Sequence, residues 1–73
     1  MRINQRTRVR KYMEDFGGIT SFEAYRELGI TQLGARIHEL KHIDGLAISY
    51  RWEQENNRYG ETINYKRYFI KEA

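Results

Sequence analysis

TQLGARIHELKHI, residues Thr31 to Ile43, decides how the chain reads. Leu33, Ile37 and Leu40 recur at i, i+4 and i+7, one apolar stripe of a 3.6-residue period, so the spacing predicts a helix over about residues 32–43. On the face opposite that stripe stand Thr31, Ala35, His38 and His42, with Gln32, Arg36 and Glu39 on the flanks. The outer face is small where the helix begins and carries hydrogen-bonding groups further along. A helix entering the major groove needs short residues at its entry and donors or acceptors that reach base edges. The solvated face of an ordinary surface helix has the same description, so the neighbouring segments must decide. Gly34 costs about 1 kcal/mol relative to alanine inside a helix. It therefore predicts a close backbone approach, to a neighbouring helix or to a phosphate.

Upstream, Thr20 reads as an N-cap, and Glu23 three residues later completes a capping box. The helix that follows covers about residues 21–28, with Phe22, Ala24, Tyr25 and Leu28 as inward candidates. Gly29 stops it, Ile30 plugs the core, and Thr31 is positioned to cap the next helix. Helix, glycine turn and second helix is the pattern of a helix-turn-helix. Ahead of it, Val9, Tyr12, Met13 and Phe16, with Ile3, outline a first helix over about residues 4–16. Asn4 is its cap, and Gly17-Gly18 ends it.

Downstream, Asp44-Gly45 closes the long helix. Leu46, Ile48, Tyr50 and Trp52 alternate with Ala47, Ser49 and Arg51, which predicts a half-buried strand over 46–52. EQENNRYG, 53–60, is polar, and Asn56-Asn57 and Gly60 suit positive φ in a turn. Residues 62–70 form a second strand rich in Thr, Ile, Tyr and Phe. Their apolar residues fall on both parities, which points to a bulge near Lys66-Arg67. Ile19-Thr20 can add a short third strand. Three helices followed by a hairpin make an α+β winged helix-turn-helix, read here as one domain over residues 1–73.

Composition narrows the function classes. Seventy-three residues leave no room for a deep catalytic cleft on top of a scaffold. With no cysteine there is no disulfide and no thiolate chemistry, which fits a reducing compartment. No apolar run approaches the ~20 residues that span a bilayer, so no membrane partner is expected. The basic start MRINQRTRVRKYM has no apolar segment after its charges, unlike a secretory signal; the expected location is the cytoplasm. Net charge is only +3, but Arg2, Arg6, Arg8, Arg10 and Lys11 all precede the first acid, Glu14. Clustered cations on a small domain favour a polyanion, although solubility alone also explains charge.

His38-Glu39-Leu40-Lys41-His42 matches H-E-x-x-H literally, the half-site of a zinc protease. Catalysis would need a third ligand, and downstream only the carboxylates Glu53, Glu55 and Glu61 are on offer. Lys41 also puts a cation beside the metal position. We therefore expect no enzyme, no catalytic residues, no cofactor and no dedicated metal site; adventitious metal binding by His38 and His42 is left open.

GGITSFEAYRELGITQLGARIHEL, followed by a glycine and NRYGETINYKRYFI, resembles a family of small winged helix-turn-helix proteins common in phages and prophages of Gram-positive bacteria. The resemblance runs from Asn4 to Ile70. It implies a DNA-binding fold, regulatory or recombination-related, without catalysis.

The first functional expectation is sequence-specific binding of double-stranded DNA. Gln32, Arg36 and His38 are the candidate base readers, since Gln pairs bidentately with adenine and Arg with guanine. Ser21 and Thr31, at helix N-termini, are candidates for phosphates, as are Arg6, Arg8, Arg10, Arg58, Lys66 and Arg67. For Arg36 a structural role competes, its stem lying over the first helix and its guanidinium on Glu14 or Asp15. The second expectation is a protein-interaction module. Six tyrosines and one tryptophan are many for this length. If Tyr50, Trp52, Tyr59 and Tyr65 are left exposed, they form a surface for a host or phage protein, or for a homodimer.

Overall fold

In the computed structural model, which describes residues 4–71, the order is α1 (Gln5–Phe16), α2 (Ser21–Leu28), α3 (Leu33–His42), β1 (Ile48–Asn56) and β2 (Thr62–Ile70). Ile3 and Arg2 lie outside the described residues. Caps set the helix starts. The Asn4 side chain accepts from the Thr7 N–H at 2.8 Å. Thr20 Oγ1 accepts from the Glu23 N–H while the Glu23 carboxylate accepts from the Thr20 N–H, both at 3.1 Å. That reciprocal pair satisfies two otherwise orphaned donors at the start of α2.

The turn between α2 and α3 depends on Gly29, at φ 68°. In that left-handed conformation the Ile30 N–H returns to the Ala24 carbonyl at 3.0 Å, and Ile30 drops into the core. The start of α3 departs from expectation. The N-cap position is Gln32, not Thr31, and no side chain caps it. Its φ of −122° and ψ of 65° lie outside the extended geometry from which a capping side chain reaches back.

Val9 and Met13 of α1, Ala24 of α2, and Leu33, Ile37 and Leu40 of α3 meet around Ile19, Ile30 and Ile48. Tyr12, Leu28, Leu46, Tyr68 and Ile70 close over this cluster. Two expectations about burial fail. Phe22 and Tyr25 point outward on α2, and Phe16 is 71% exposed at the end of α1. An eight-residue helix has one narrow inward face, and Ala24 and Leu28, one turn apart, fill it.

β1 and β2 pair antiparallel in nine unbroken steps from Ile48↔Ile70 to Asn56↔Thr62. β1 therefore starts two residues later than expected and runs four residues further, which shortens the loop. The tip is held by Asn57, not by positive φ at the asparagines: its Oδ1 accepts from the N–H groups of Tyr59 (2.9 Å) and Glu61 (3.0 Å). There is no bulge at Lys66-Arg67. Apolar residues fall on both parities because both faces of the hairpin are covered at its base. Ile48, Tyr68 and Ile70 face the core, while Tyr65 and Arg67 face the start of α2. Ile19 adds a third edge, exchanging two backbone bonds with Tyr68 at 2.8 and 2.9 Å.

Gly34 does not answer to a helix–helix contact. A Cβ built there meets nothing within 4 Å. Gly34→Ala should therefore raise stability by about 1 kcal/mol, or roughly 4–8 °C in Tm for a domain this size. Thermal unfolding by circular dichroism reads the change; an unaltered or lower Tm would contradict it. Gly18 is the opposite case. An added Cβ would come within 3.0 Å of both the Arg67 Cγ and the Tyr68 carbonyl oxygen, so the backbone is close-fitted to β2 here.

Candidate nucleic-acid interface

The buried stripe of α3 fixes which residues it offers to solvent. With Leu33, Ile37 and Leu40 locked inward, Thr31, Gln32, Gly34, His38 and His42 are exposed and Ala35 is half-buried. Gln32 precedes the first turn and His38 stands further along, so the two proposed readers share one outward surface. Ser21 is exposed at the start of α2.

Arg36 sits on the α1 side of that surface. Its guanidinium donates to Gln5 Oε1 at 3.0 Å and to Glu39 Oε2 at 3.3 Å, and Nε lies 3.0 Å from Glu39 Oε1. The guanidinium does reach α1, but its partners are Gln5 and Glu39, not Glu14 or Asp15. Those two acids are taken one turn along α1, Glu14 by Arg10 at 3.4 Å and Asp15 by Lys11 at 3.3 Å. Arg36 would have to leave both partners to reach a base.

The His38 and His42 rings stack one turn apart, centroids 4.2 Å and planes 36° from each other. Glu39 is turned to Arg36 rather than between them. Among the described residues, no group of three or more His, Cys, Asp or Glu is placed to hold a metal ion. The literal H-E-x-x-H match thus has two adjacent imidazoles and a carboxylate committed elsewhere.

The basic candidates divide into engaged and available. Arg6 lies 3.1 Å from Asp44, which ties the start of α1 to the end of α3. Arg8 and Arg58 are exposed. Arg67 holds the hairpin to α2. Its NH1 and NH2 donate to the two Glu23 carboxylate oxygens at 2.9 and 3.2 Å, and its Nε lies 2.9 Å from Glu53 Oε2. The hydrogen bond to Glu23 leads the contributions that raise the Arg67 pKa, and the Arg67 hydrogen bond holds the Glu53 carboxyl below its ordinary value. A guanidinium so engaged positions the hairpin, and it would have to give up both carboxylates to meet a phosphate. The one signal of this in the sequence is the capping-box glutamate, but its spare lone pairs find Arg67 only through a separation of 44 residues.

Lys66 stands on the other face. Its Nζ is 4.4 Å from the Tyr50 ring centroid and 5.3 Å from that of Trp52, inside cation–π range. Tyr50 and Trp52 contact edge to face at 6.2 Å, and Trp52 is 62% exposed. The hairpin therefore presents a cation resting on two aromatic rings.

A helix-turn-helix whose second helix is uncovered, with a hairpin beside it, is the architecture of a winged helix-turn-helix module. A family model described as a winged helix-turn-helix domain matches residues 4–73, and the chain belongs to that family. Membership makes DNA the expected partner class and gives no support to an enzymatic role. No curated protein and no solved structure gives a significant match to the chain. Among the described residues, no helix is long and apolar enough to cross a membrane.

Proposed function

We propose that this domain binds double-stranded DNA in a sequence-specific way, with α3 in the major groove and the hairpin wing on the flanking backbone. The role is that of a phage-type transcriptional regulator or recombination accessory factor. The observation behind it is the outward face of α3: polar, open to solvent, narrow at its start, and backed by a rigid apolar stripe. Gln32 and His38 are the principal base readers, and Arg36 joins them by exchanging Glu39 and Gln5 for a base. Ser21 and Thr31 meet phosphates beside the turn. The open space over Gly34 lets a phosphate approach the α3 backbone. Arg58 and Lys66 supply the wing's charge, while Arg6, Arg8 and Arg10 contribute to the positive field more than to fixed contacts. Arg67 leaves the contact set and acts by positioning the wing.

Phosphate-directed binding releases counterions, so affinity must fall steeply with salt. Fluorescence anisotropy with pooled random duplexes should give a log–log salt slope of about −3 to −6, a handful of phosphates neutralised. A second reading, a module that binds a host protein through the wing aromatics, draws on the exposure of Trp52 and Tyr50. It predicts no binding to the pooled duplexes even at low salt.

A further inference from the structure

We propose that the α1–α2 face of this chain is a self-association surface, on which a second copy docks its own α1 antiparallel across a two-fold axis. A groove of about 330 Å³ runs between the two helices, with Tyr12, Phe16 and Leu28 as its apolar lining and Arg8, Lys11 and Asp15 on the rim. It lies apart from the outward face of α3. Tyr12 and Phe16 pack ring to ring with centroids 4.6 Å apart and planes tilted by 41°, so they form one apolar ridge, and Phe16 is left open at its end.

The occupant is argued from charge and spacing along α1. Arg8, Tyr12 and Phe16 form one row at four-residue steps, each about 6 Å along the axis. A two-fold axis beside Tyr12 sets Tyr12 against its own copy and brings Arg8 of each chain over Phe16 of the other, a cation on an aromatic face. Among the described residues Arg8 has no carboxylate partner, so it is free to do this. The adjacent row carries Lys11 and Asp15, opposite charges about 6 Å apart along the axis. Under nearly the same axis, Lys11 of each copy meets Asp15 of the other. Their present pairing at 3.3 Å joins side chains 72% and 48% exposed, which exchange partners at little cost. The ridge is thus complementary to itself in both rows. A partner of one charge sign would match only half of it.

Self-association of this kind does not require DNA to be the ligand. If DNA is bound, the dimer supplies two recognition helices related by a two-fold axis. The test is sedimentation equilibrium of the full chain and of two variants, Lys11→Glu and Asp15→Lys, with circular dichroism as a check on folding. Wild-type protein should dimerise. Each variant alone sets like charges against each other twice per dimer, by symmetry, and should weaken association about tenfold. An equimolar mixture should recover it, because in the mixed dimer both cross-axis contacts again join opposite charges: the two substituted side chains face each other, and so do the two unchanged ones. Phe16→Ser, at an exposed site, should weaken association without unfolding the domain. Wild-type protein that stays monomeric to about 1 mM overturns the proposal and leaves the groove to some other partner. So does a dimer indifferent to the charge variants, or a mixture that fails to recover association.

Discussion

Arg67→Ala should loosen the wing from the helical body and destabilise the domain by about 2 kcal/mol, since a part-buried ion pair loses one member and leaves Glu23 uncompensated. The guanidinium is the only cation in contact with both Glu23 and Glu53 among the described ion pairs. Its stem packs against the bare backbone of Gly18, so truncation also opens a gap. Arg67→Met separates the two effects, keeping the stem and removing the charge. Chemical denaturation of the three proteins measures both.

The same pair sets an acid dependence. Hydrogen bonding to Arg67 holds the Glu53 carboxyl below its ordinary value of 4.5. A carboxylate depressed in the folded state lends stability that is present above the unfolded value and is lost as pH falls through the folded value. Wild-type stability should therefore drop below about pH 4.5. In Arg67→Met that loss should be shallower, because the bond that depressed Glu53 is gone. Equal acid sensitivity in both proteins would show that the Arg67 contacts add nothing to folding. Because Arg67 fixes the direction of the wing, its loss should weaken DNA binding too, with the salt slope nearly unchanged.

Local signals explain most of what could be read ahead of the structure. The Asn4 cap, the Thr20–Glu23 capping box, the Gly29 turn and the Leu33–Ile37–Leu40 stripe all act within a few residues, and each appears in the structure where the spacing put it. The edge contributed by Ile19 was legible too, as a short extended link between helices. What periodicity could not resolve is competition for burial. Phe16, Phe22 and Tyr25 have the chemistry of core residues, yet Val9, Met13, Ala24 and Leu40 already fill the space between the helices. The both-sided apolar pattern of β2 suggested a bulge because a strand with one buried face was assumed. The start of α2 covers the second face, and that contact depends on a long-range pairing.

The candidate site divides in the same way. The outward placement of Gln32, His38 and His42 follows from the buried stripe of α3 and was readable. The fates of the arginines were not. Arg36, Arg67 and Arg6 look alike in sequence and differ only in which acid the fold brings near: Glu39 beside Gln5, Glu23 with Glu53, and Asp44. Lys66, by contrast, lies over Tyr50 and Trp52 because of cross-strand register.

Whether α3 reads base sequence is tested most directly by comparing wild-type protein with the Gln32→Ala/His38→Ala variant on two duplexes at one salt concentration, a site selected from random sequence and a scrambled version of it. Neither side chain belongs to the buried core, so the variant should fold normally. A good bidentate base contact is worth about 1–3 kcal/mol of discrimination. Recognition through α3 predicts a loss of roughly 100-fold on the selected site and less than about threefold on the scrambled one, because phosphate contacts are untouched. Equal losses on both duplexes, or unchanged affinity for the selected site, would contradict it.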